Sequence, residues 1–501
     1  MALARVYSRA LVGIEAPLVT VETHISNGMP QLAIVGLPET AVRESRERVR
    51  SAILNANLEF PARRVTVNLA PAELPKVGGR YDLAIALSIL VASEQVAADR
   101  LVDLEFLGEL SLGGELRAVS GVLPAAIRSR ESGRRLVVPF DNRHEAGMVK
   151  NCRSCHADGL IAVLQMLGDA GQLPSCPRVV LAPDRGSQGH AAHNDLADIR
   201  GQTSAKRALQ IAAAGGHNLL LKGPPGTGKT MLAAALPGIL PSLNEKSALE
   251  VASLRSVANI KLDPADFYLP PLRSPHHTAT PASLIGGGAR AMPGEVSLAQ
   301  HGVLFLDELP QFTGRALEAL REPLEARAIT LTRANHRFTY PASFQLVAAM
   351  NPCPCGFLGD PSGRCRCTQS RIDGYRQKLS GPLLDRFDLL VEVPRLSHQE
   401  LSQVDNSAVH SATVRHQVTR CRQRQLDRAG ALNSMLRTRD LERYCSLDNS
   451  GERLLQQAMR NLHLSARGFH RVLRLARTLA DMEEQDSIRE DHVLEALGYR
   501  S

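Results

Sequence analysis

No apolar run in the chain approaches the roughly 18 residues that a bilayer-spanning helix needs, so no membrane partner is expected. The opening MALARVYSRALVGIEAPLV lacks an apolar stretch followed by a small-residue cleavage site, and a cytoplasmic location is expected. No internal repeat of 20 to 50 residues recurs, which argues against a solenoid or propeller. An even cysteine set is also missing. The cysteines number nine, and four crowd between Cys353 and Cys367, a distribution that fits reduced thiols or metal ligands better than a secreted disulfide framework.

What is present bounds the class. With 501 residues and 44% apolar content, the chain is too long for one core and can build two or three. A net charge of +8 and a pI near 9.1 lean toward a polyanionic partner, but that excess spread over 54.3 kDa does not decide the matter alone.

Residues 1–168 alternate short β-type runs (PQLAIVGLP, RRVTVNLAP, RRLVVPF) with helical stretches at 40–55 and 82–93, which predicts an α/β domain. Residues 169–196 are rich in Pro, Gly, Ser and His without a sustained period and are expected to be a linker. A second α/β unit follows over 197–394, with strands expected at 218–222, 302–306, 344–349 and 389–393. From 395 to 501 β-type runs vanish and the text becomes helical and Arg-rich, which predicts an all-α lid.

Chemistry concentrates in the second unit. Gly223, Pro224, Pro225, Gly226, Thr227, Gly228, Lys229 and Thr230 follow the apolar run NLLL and open a helix, the context that makes a phosphate-loop pattern meaningful. Glycines let backbone N–H groups close round phosphates, and the helix N-terminus adds partial positive charge. Lys229 is expected to reach the β and γ phosphates of ATP, and Thr230 to hold Mg²⁺. GVLFLDEL ends an apolar strand in two carboxylates, for which a buried strand has no structural use. Asp307 suits the Mg²⁺ shell and Glu308 the polarisation of an attacking water. Asn351, ending the next strand, is placed to orient the same water, although such an Asn is as readily a turn former.

Five further sets of residues stay open on the residues alone. Arg386 and Arg467 read either as surface arginines in ion pairs or as cations for a γ-phosphate. Cys353, Cys355, Cys365 and Cys367 form two C-x-C pairs that can hold Zn²⁺ or remain metal-free thiols. Cys152, Cys155, His156 and Cys176 make a weaker cluster, with no fourth ligand at the right spacing. Arg333, His336 and Arg337 lie between the β-type runs AITLT and FTY, either as a solvated turn or as a basic hairpin tip for a phosphate backbone. The dense arginines of 415–428 suit subunit contacts or DNA equally.

GHNLLLKGPPGTGKT, RSPHHTATPASLIGGG, GEVSLAQHGVLFLDEL, AAMNPCPCG and KLSGPLLDRFDL together resemble the magnesium-chelatase-like AAA+ ATPases over nearly the whole chain. The resemblance implies an AAA+ phosphate-loop core with an all-α lid and a homo-hexameric ring. It further implies ATP hydrolysis coupled to translocation on single- and double-stranded DNA. Helicase and branch-migration activity on branched DNA during integration of transforming DNA is expected with it, with recombination proteins as further partners. By the same resemblance Asn351 is a sensor, Arg386 a finger acting in trans, Arg467 a lid sensor, and Arg333 to Arg337 a pore hairpin. Residues 1–168 resemble the Lon-protease fold through PKVGGRYDLAIAL and FLGELSLGGELRAVSGVL. The positions for a nucleophilic Ser and its Lys read Gly79-Arg80-Tyr81-Asp82 and Gly121-Val122-Leu123, so no peptidase is expected. The competing reading is the motor subunit of a magnesium chelatase, which would not be expected to carry the Lon-like domain or the four-Cys loop.

Overall fold

The computed structural model describes residues 3–36, 40–168, 173–181, 194–288, 291–333, 336–359, 363–397, 400, 409–461 and 465–500, excepting the side chains of 40–43, 333 and 336. Two β-sheets and a helical C-terminal region organise them. The N-terminal sheet has seven strands, in the order Gln31–Val35, Arg64–Ala70, Leu18–Ser26, Leu3–Arg9, Leu104–Phe106, Arg135–Pro139, Ser154–Ala157. Leu18–Ser26 alternates buried and part-exposed side chains, as a strand with one covered face does. The helix Asp82–Ala92 is buried at every position. Its two polar members have partners: Asp82 accepts from Arg48 Nε at 2.7 Å, and the Ser88 hydroxyl meets that of Thr23 at 2.6 Å.

Of the expected linker, residues 173–181 are held along the N-terminal domain. His156 N–H donates to Pro174 O at 3.1 Å, Cys176 N–H to Ser154 O at 3.0 Å and Val179 N–H to Gly147 O at 3.3 Å. The edge strand Ser154–Ala157 presents backbone groups that need partners, and this segment supplies them.

The second sheet has five strands, all parallel, in the order Leu272–Arg273, Val303–Leu306, Gln345–Met350, Leu219–Lys222, Leu389–Glu392. VLFL and QLVAAM are buried throughout, because a parallel sheet is covered on both faces. Alternate residues serve opposite cores. Leu219, Leu221, Val303, Phe305, Val347 and Ala349 pack toward the lid helices and the helix that follows the phosphate loop. Leu220, Leu304, Leu306, Leu346 and Ala348 pack on the other side, with Leu317 and Phe387.

The C-terminal helices are Ser411–Ala429, Thr438–Tyr444, Asn449–Asn461, Ala466–Met482 and Glu490–Gly498. The long helix Ser411–Ala429 carries the dense arginines, and their charges are met within the chain. Arg428 pairs with Asp481 at 2.6 Å, Arg424 with Asp486, and Arg420 with Glu484. Arg415 donates to Gly238 O and Arg422 to Ala213 O. The stretch is therefore a clamp between lid and core, which weakens its candidacy as a DNA surface.

The N-terminal domain seats on the second unit through the helix Glu245–Val257. Ala248, Ala252, Phe267 and Tyr268 join a core with Val122, Leu123 and Ala126. Ser256 Oγ donates to the buried Glu145 carboxylate across this junction.

Candidate functional site

A sheet of parallel strands delivers every strand end to the same edge, and three of the sequence-singled segments arrive there. Lys222 is in register with Met350, so the loop that starts at Gly223 lies beside Asn351. Leu306 is in register with Ala348, which brings Asp307 one strand further along. The loop turns tightly at Gly226 and Gly228, with φ of +77° and +87°, a region in which residues with a Cβ are strained. An added Cβ at Gly223 would stand 2.2 Å from Val393 O, so only glycine fits there.

The side chains converge. Lys229 Nζ donates to Gly223 O and Pro224 O, both at 2.8 Å, and to Asn351 Oδ1 at 3.2 Å. Burial pushes its pKa down, opposed by the charges of Asp307 and Glu308. Thr230 Oγ1 donates to Asp307 Oδ2 at 2.7 Å, while Asp307 Oδ1 accepts from the Glu308 N–H at 2.9 Å. Glu308 itself has φ of +51° and an exposed side chain. A non-glycine residue in that region is strained, and such strain clusters where a side chain must be aimed. A hydroxyl and a carboxylate in contact, beside a lysine and an open loop of N–H groups, form a donor set that suits Mg²⁺ and a nucleoside triphosphate.

One neighbour, in the family-like stretch RSPHHTATPASLIGGG, had no role assigned from sequence. His277 Nδ1 stands 3.9 Å from Glu308 Oε2, within ion-pair range when the imidazole is protonated. The only sequence signal for it is the pair His276-His277 a few residues after the short strand Leu272–Arg273.

Arg386 and Arg467 are brought together at the opposite edge. Leu389 is in register with Leu219, so Arg386 precedes the strand that runs beside the phosphate-loop strand, and Asn218 Nδ2 donates to Arg386 O at 2.8 Å. Both arginines line a cleft of about 790 Å³ with Arg327, Arg471 and Arg474. Burial pushes the Arg386 pKa down, and the charge of Arg467 pushes the same way. Arg386 meets Glu325 of its own chain in an ion pair.

The four cysteines also gather. Cys353, Cys355, Cys365 and Cys367 offer sulfur atoms all within 4.8 Å of one another, with Cys353 to Cys365 at 3.8 Å and Cys355 to Cys365 at 3.7 Å. Four sulfurs about 2.3 Å from a tetrahedral zinc stand about 3.8 Å apart, so the spacing fits the metal. The Phe357 N–H draws the Cys355 thiol down to about 6, while Cys365 is pushed up to about 11 and Cys367 upward by burial and the neighbouring sulfurs. Among the described residues this is the only such group; Cys152, Cys155 and Cys176 do not assemble one. Burial pushes Cys155 up to about 12 and Cys152 up to about 11, which keeps both as thiols.

The hairpin is formed by Ala328–Arg333 and His336–Pro341, with Arg333 opposite His336 as the last pair of the ladder. The side chains of Arg333 and His336 lie outside the described residues; Arg337 is exposed. The inner face is anchored. Phe338 and Tyr340 are buried with Leu254 and Leu298 against Leu11, Val12 and Ile14 of the N-terminal domain, and Tyr340 Oη donates to Ala291 O at 2.9 Å.

In the N-terminal domain the stretches PKVGGRYDLAIAL and FLGELSLGGELRAVSGVL meet through Arg80. Arg80 is buried, and its guanidinium donates to Ser120 O at 3.3 Å and to Gly121 O at 3.5 Å. The arginine ties together the two stretches that a Ser–Lys pair would bridge in a peptidase.

Known proteins align with this arrangement. Residues 195–401 match the family model described as magnesium chelatase, subunit ChlI, residues 21–142 match subunit ChlI of Mg-chelatase, and residues 408–500 match its C-terminal model. The competence protein ComM of Haemophilus influenzae is 47% identical over 501 residues, covering 100% of this chain and 98% of the relative. The uncharacterized protein YifB of Escherichia coli is also 47% identical, covering 100% of this chain and 97% of the relative. A DNA replication licensing factor, mcm-6 of Caenorhabditis briggsae, is 22% identical over 224 residues, 40% of this chain and 25% of the relative. No helix among the described residues is long and apolar enough to cross a membrane. With the phosphate loop, the paired acids and the parallel sheet in one place, and family models and full-length relatives spanning the same residues, the chain belongs to the magnesium-chelatase family of AAA+ ATPases.

Proposed function

We propose that the chain is an ATP-driven DNA translocase that works as a homo-hexamer and promotes branch migration when incoming DNA recombines with a chromosome. The observation that carries the reading is the hairpin's attachment. His336–Pro341 is followed after three residues by Gln345–Met350, the strand that ends at Asn351 beside Lys229. A change at the γ-phosphate felt by Asn351 thus has a short path to the hairpin tip. The likeness to ComM over the full chain supports the recombination setting, and the partial likeness to a replication licensing factor supports DNA as the track.

In this reading Lys229 and the loop N–H groups hold the phosphates, Thr230 and Asp307 hold Mg²⁺, and Glu308 takes the proton of the attacking water while Asn351 orients it. The bound metal supplies positive charge to the β and γ phosphates. Arg386 stands at the edge of the sheet away from its own Lys229. The four-residue strand Leu219–Lys222 between them spans about 13 Å at about 3.3 Å per residue. It therefore serves a neighbour's nucleotide, and Arg467, in the same cleft, faces the same neighbour. Single-stranded, double-stranded and branched DNA pass through the central channel along the tips formed by Arg333, His336 and Arg337.

Contacts of that kind are to phosphates, so binding is indifferent to sequence and falls steeply with salt. Replacing Arg333 and Arg337 together by Ala is expected to weaken DNA binding and abolish unwinding of a branched substrate, with basal ATP turnover intact. A double variant that unwinds at the wild-type rate refutes the channel assignment.

The four cysteines hold one Zn²⁺ as a closed structural site with no position for water. Elemental analysis should return about one equivalent per chain. A metal-free preparation with full activity contradicts this.

A further inference from the structure

The four-Cys loop touches the nucleotide site at points that its own fold must keep in place. We infer that the zinc-held loop is the outer wall of the ATP pocket, so that nucleotide affinity depends on the metal being bound. This deepens the zinc assignment above and rests on it.

Three contacts carry the inference. Gly356 has φ of +82° and is closed against the phosphate loop; a Cβ there would stand 2.6 Å from Pro225 Cδ and 3.7 Å from Asn351 Cγ. A single residue, Pro352, separates Cys353 from Asn351, whose Oδ1 accepts from Lys229 Nζ at 3.2 Å. Phe357 lies under two guanidinium groups, Arg364 at 4.9 Å and Arg395 at 5.1 Å. Arg395 comes directly after Val393 and Pro394, and Val393 O is the atom that forces glycine at position 223. The loop therefore presses on the phosphate loop at Pro225 and is tied to the strand end that backs Gly223.

Among the described residues, regular secondary structure does little to fix the loop's shape. Cys353 is fully buried, but residues 363–371 are exposed or half-exposed and form no strand or helix before Gln369. A short segment with so small an apolar core takes its fold from the metal. The phosphate loop must hold its N–H groups to within about 0.5 Å to bind well, so slackening the wall at Pro225 costs affinity.

The test uses the full chain and a fluorescent ATP analogue, with zinc content measured in every sample. Chelator-stripped protein is expected to bind the analogue about tenfold or more weakly, a change of about 1.4 kcal/mol, and added Zn²⁺ to restore it. Gly356→Ala should keep its zinc and lose a similar factor, because the added carbon pushes on Pro225. Gly363→Ala, on the same loop with φ of +63° but nothing within 4 Å of the added carbon, should keep both zinc and affinity. The inference is overturned by stripped protein of unchanged circular dichroism that binds as tightly as before. A zinc-loaded Gly356→Ala chain with normal affinity overturns it equally, and that arm decides if stripped protein unfolds. In both cases the zinc assignment itself stands. Protein that never holds zinc yet binds normally removes the assignment and the inference together.

Discussion

Glu308→Gln is expected to bind ATP as the native chain does and to hydrolyse it at least about 10²-fold more slowly, the usual contribution of a positioned base. The amide keeps the side chain's size and the backbone at φ of +51°, so the loop and the metal ligands are undisturbed. What is lost is the ability to take a proton from water. Lys229→Ala should fail differently. Its ammonium lies in the phosphate loop, braced by Gly223 O, Pro224 O and Asn351 Oδ1, so removing it is expected to weaken nucleotide binding itself. Equilibrium binding and turnover measured on both variants separate the two roles. A Glu308→Gln chain that turns over normally excludes this residue as the base.

Arg386→Ala is expected to lose about 10³-fold or more in turnover, the range of an arginine finger, while nucleotide binding survives. The reason is the register of the sheet: Arg386 precedes Leu389, which pairs with Leu219, whereas the phosphate loop follows Lys222, which pairs with Glu392. Its part-buried guanidinium is paired with Glu325 of its own chain, the contact that the proposed role in trans would exchange for a neighbour's nucleotide. Mixing Arg386→Ala with Glu308→Gln chains checks this directly. Where a Glu308→Gln protomer lends its intact Arg386 to an Arg386→Ala protomer with an intact Glu308, activity returns. Two inactive chains that never complement leave the assignment in trans without support.

The convergence of Lys229, Thr230, Asp307 and Asn351 at one sheet edge was legible because its information is local. Glycine spacing, a lysine at the start of a helix and two acids at the end of an apolar strand are each set by a few consecutive residues. Strands expected at 302–306 and 344–349 lie at Val303–Leu306 and Gln345–Met350, since fully buried parallel strands are continuous apolar runs. What was not legible depends on partners far along the chain. The arginines of 415–428 suit subunit contacts or DNA equally in sequence, yet Asp481, Glu484 and Asp486 of the same chain meet several of them. Residues 173–181 read as linker because they lie in a Pro-, Gly- and Ser-rich stretch without a sustained period, which says nothing of the edge strand they satisfy. The approach of His277 to Glu308 and of Arg80 to Gly121 follows from tertiary packing alone.

The Lon-like domain was expected to separate a DNA motor from a chelatase motor, but residues 21–142 themselves match a model that bears the chelatase subunit's name. That feature no longer discriminates. The weight passes to the four-Cys loop, the anchored hairpin and the full-length likeness to ComM.

ATP turnover by the full chain, measured with and without single-stranded and branched DNA and with Glu308→Gln as the background, tests the central claim most directly. A DNA motor whose hairpin communicates with Asn351 turns over faster on DNA, and the increase should fade as salt is raised. Turnover that ignores DNA at every salt concentration, and rises instead with chelatase partner subunits and a porphyrin, would contradict the account.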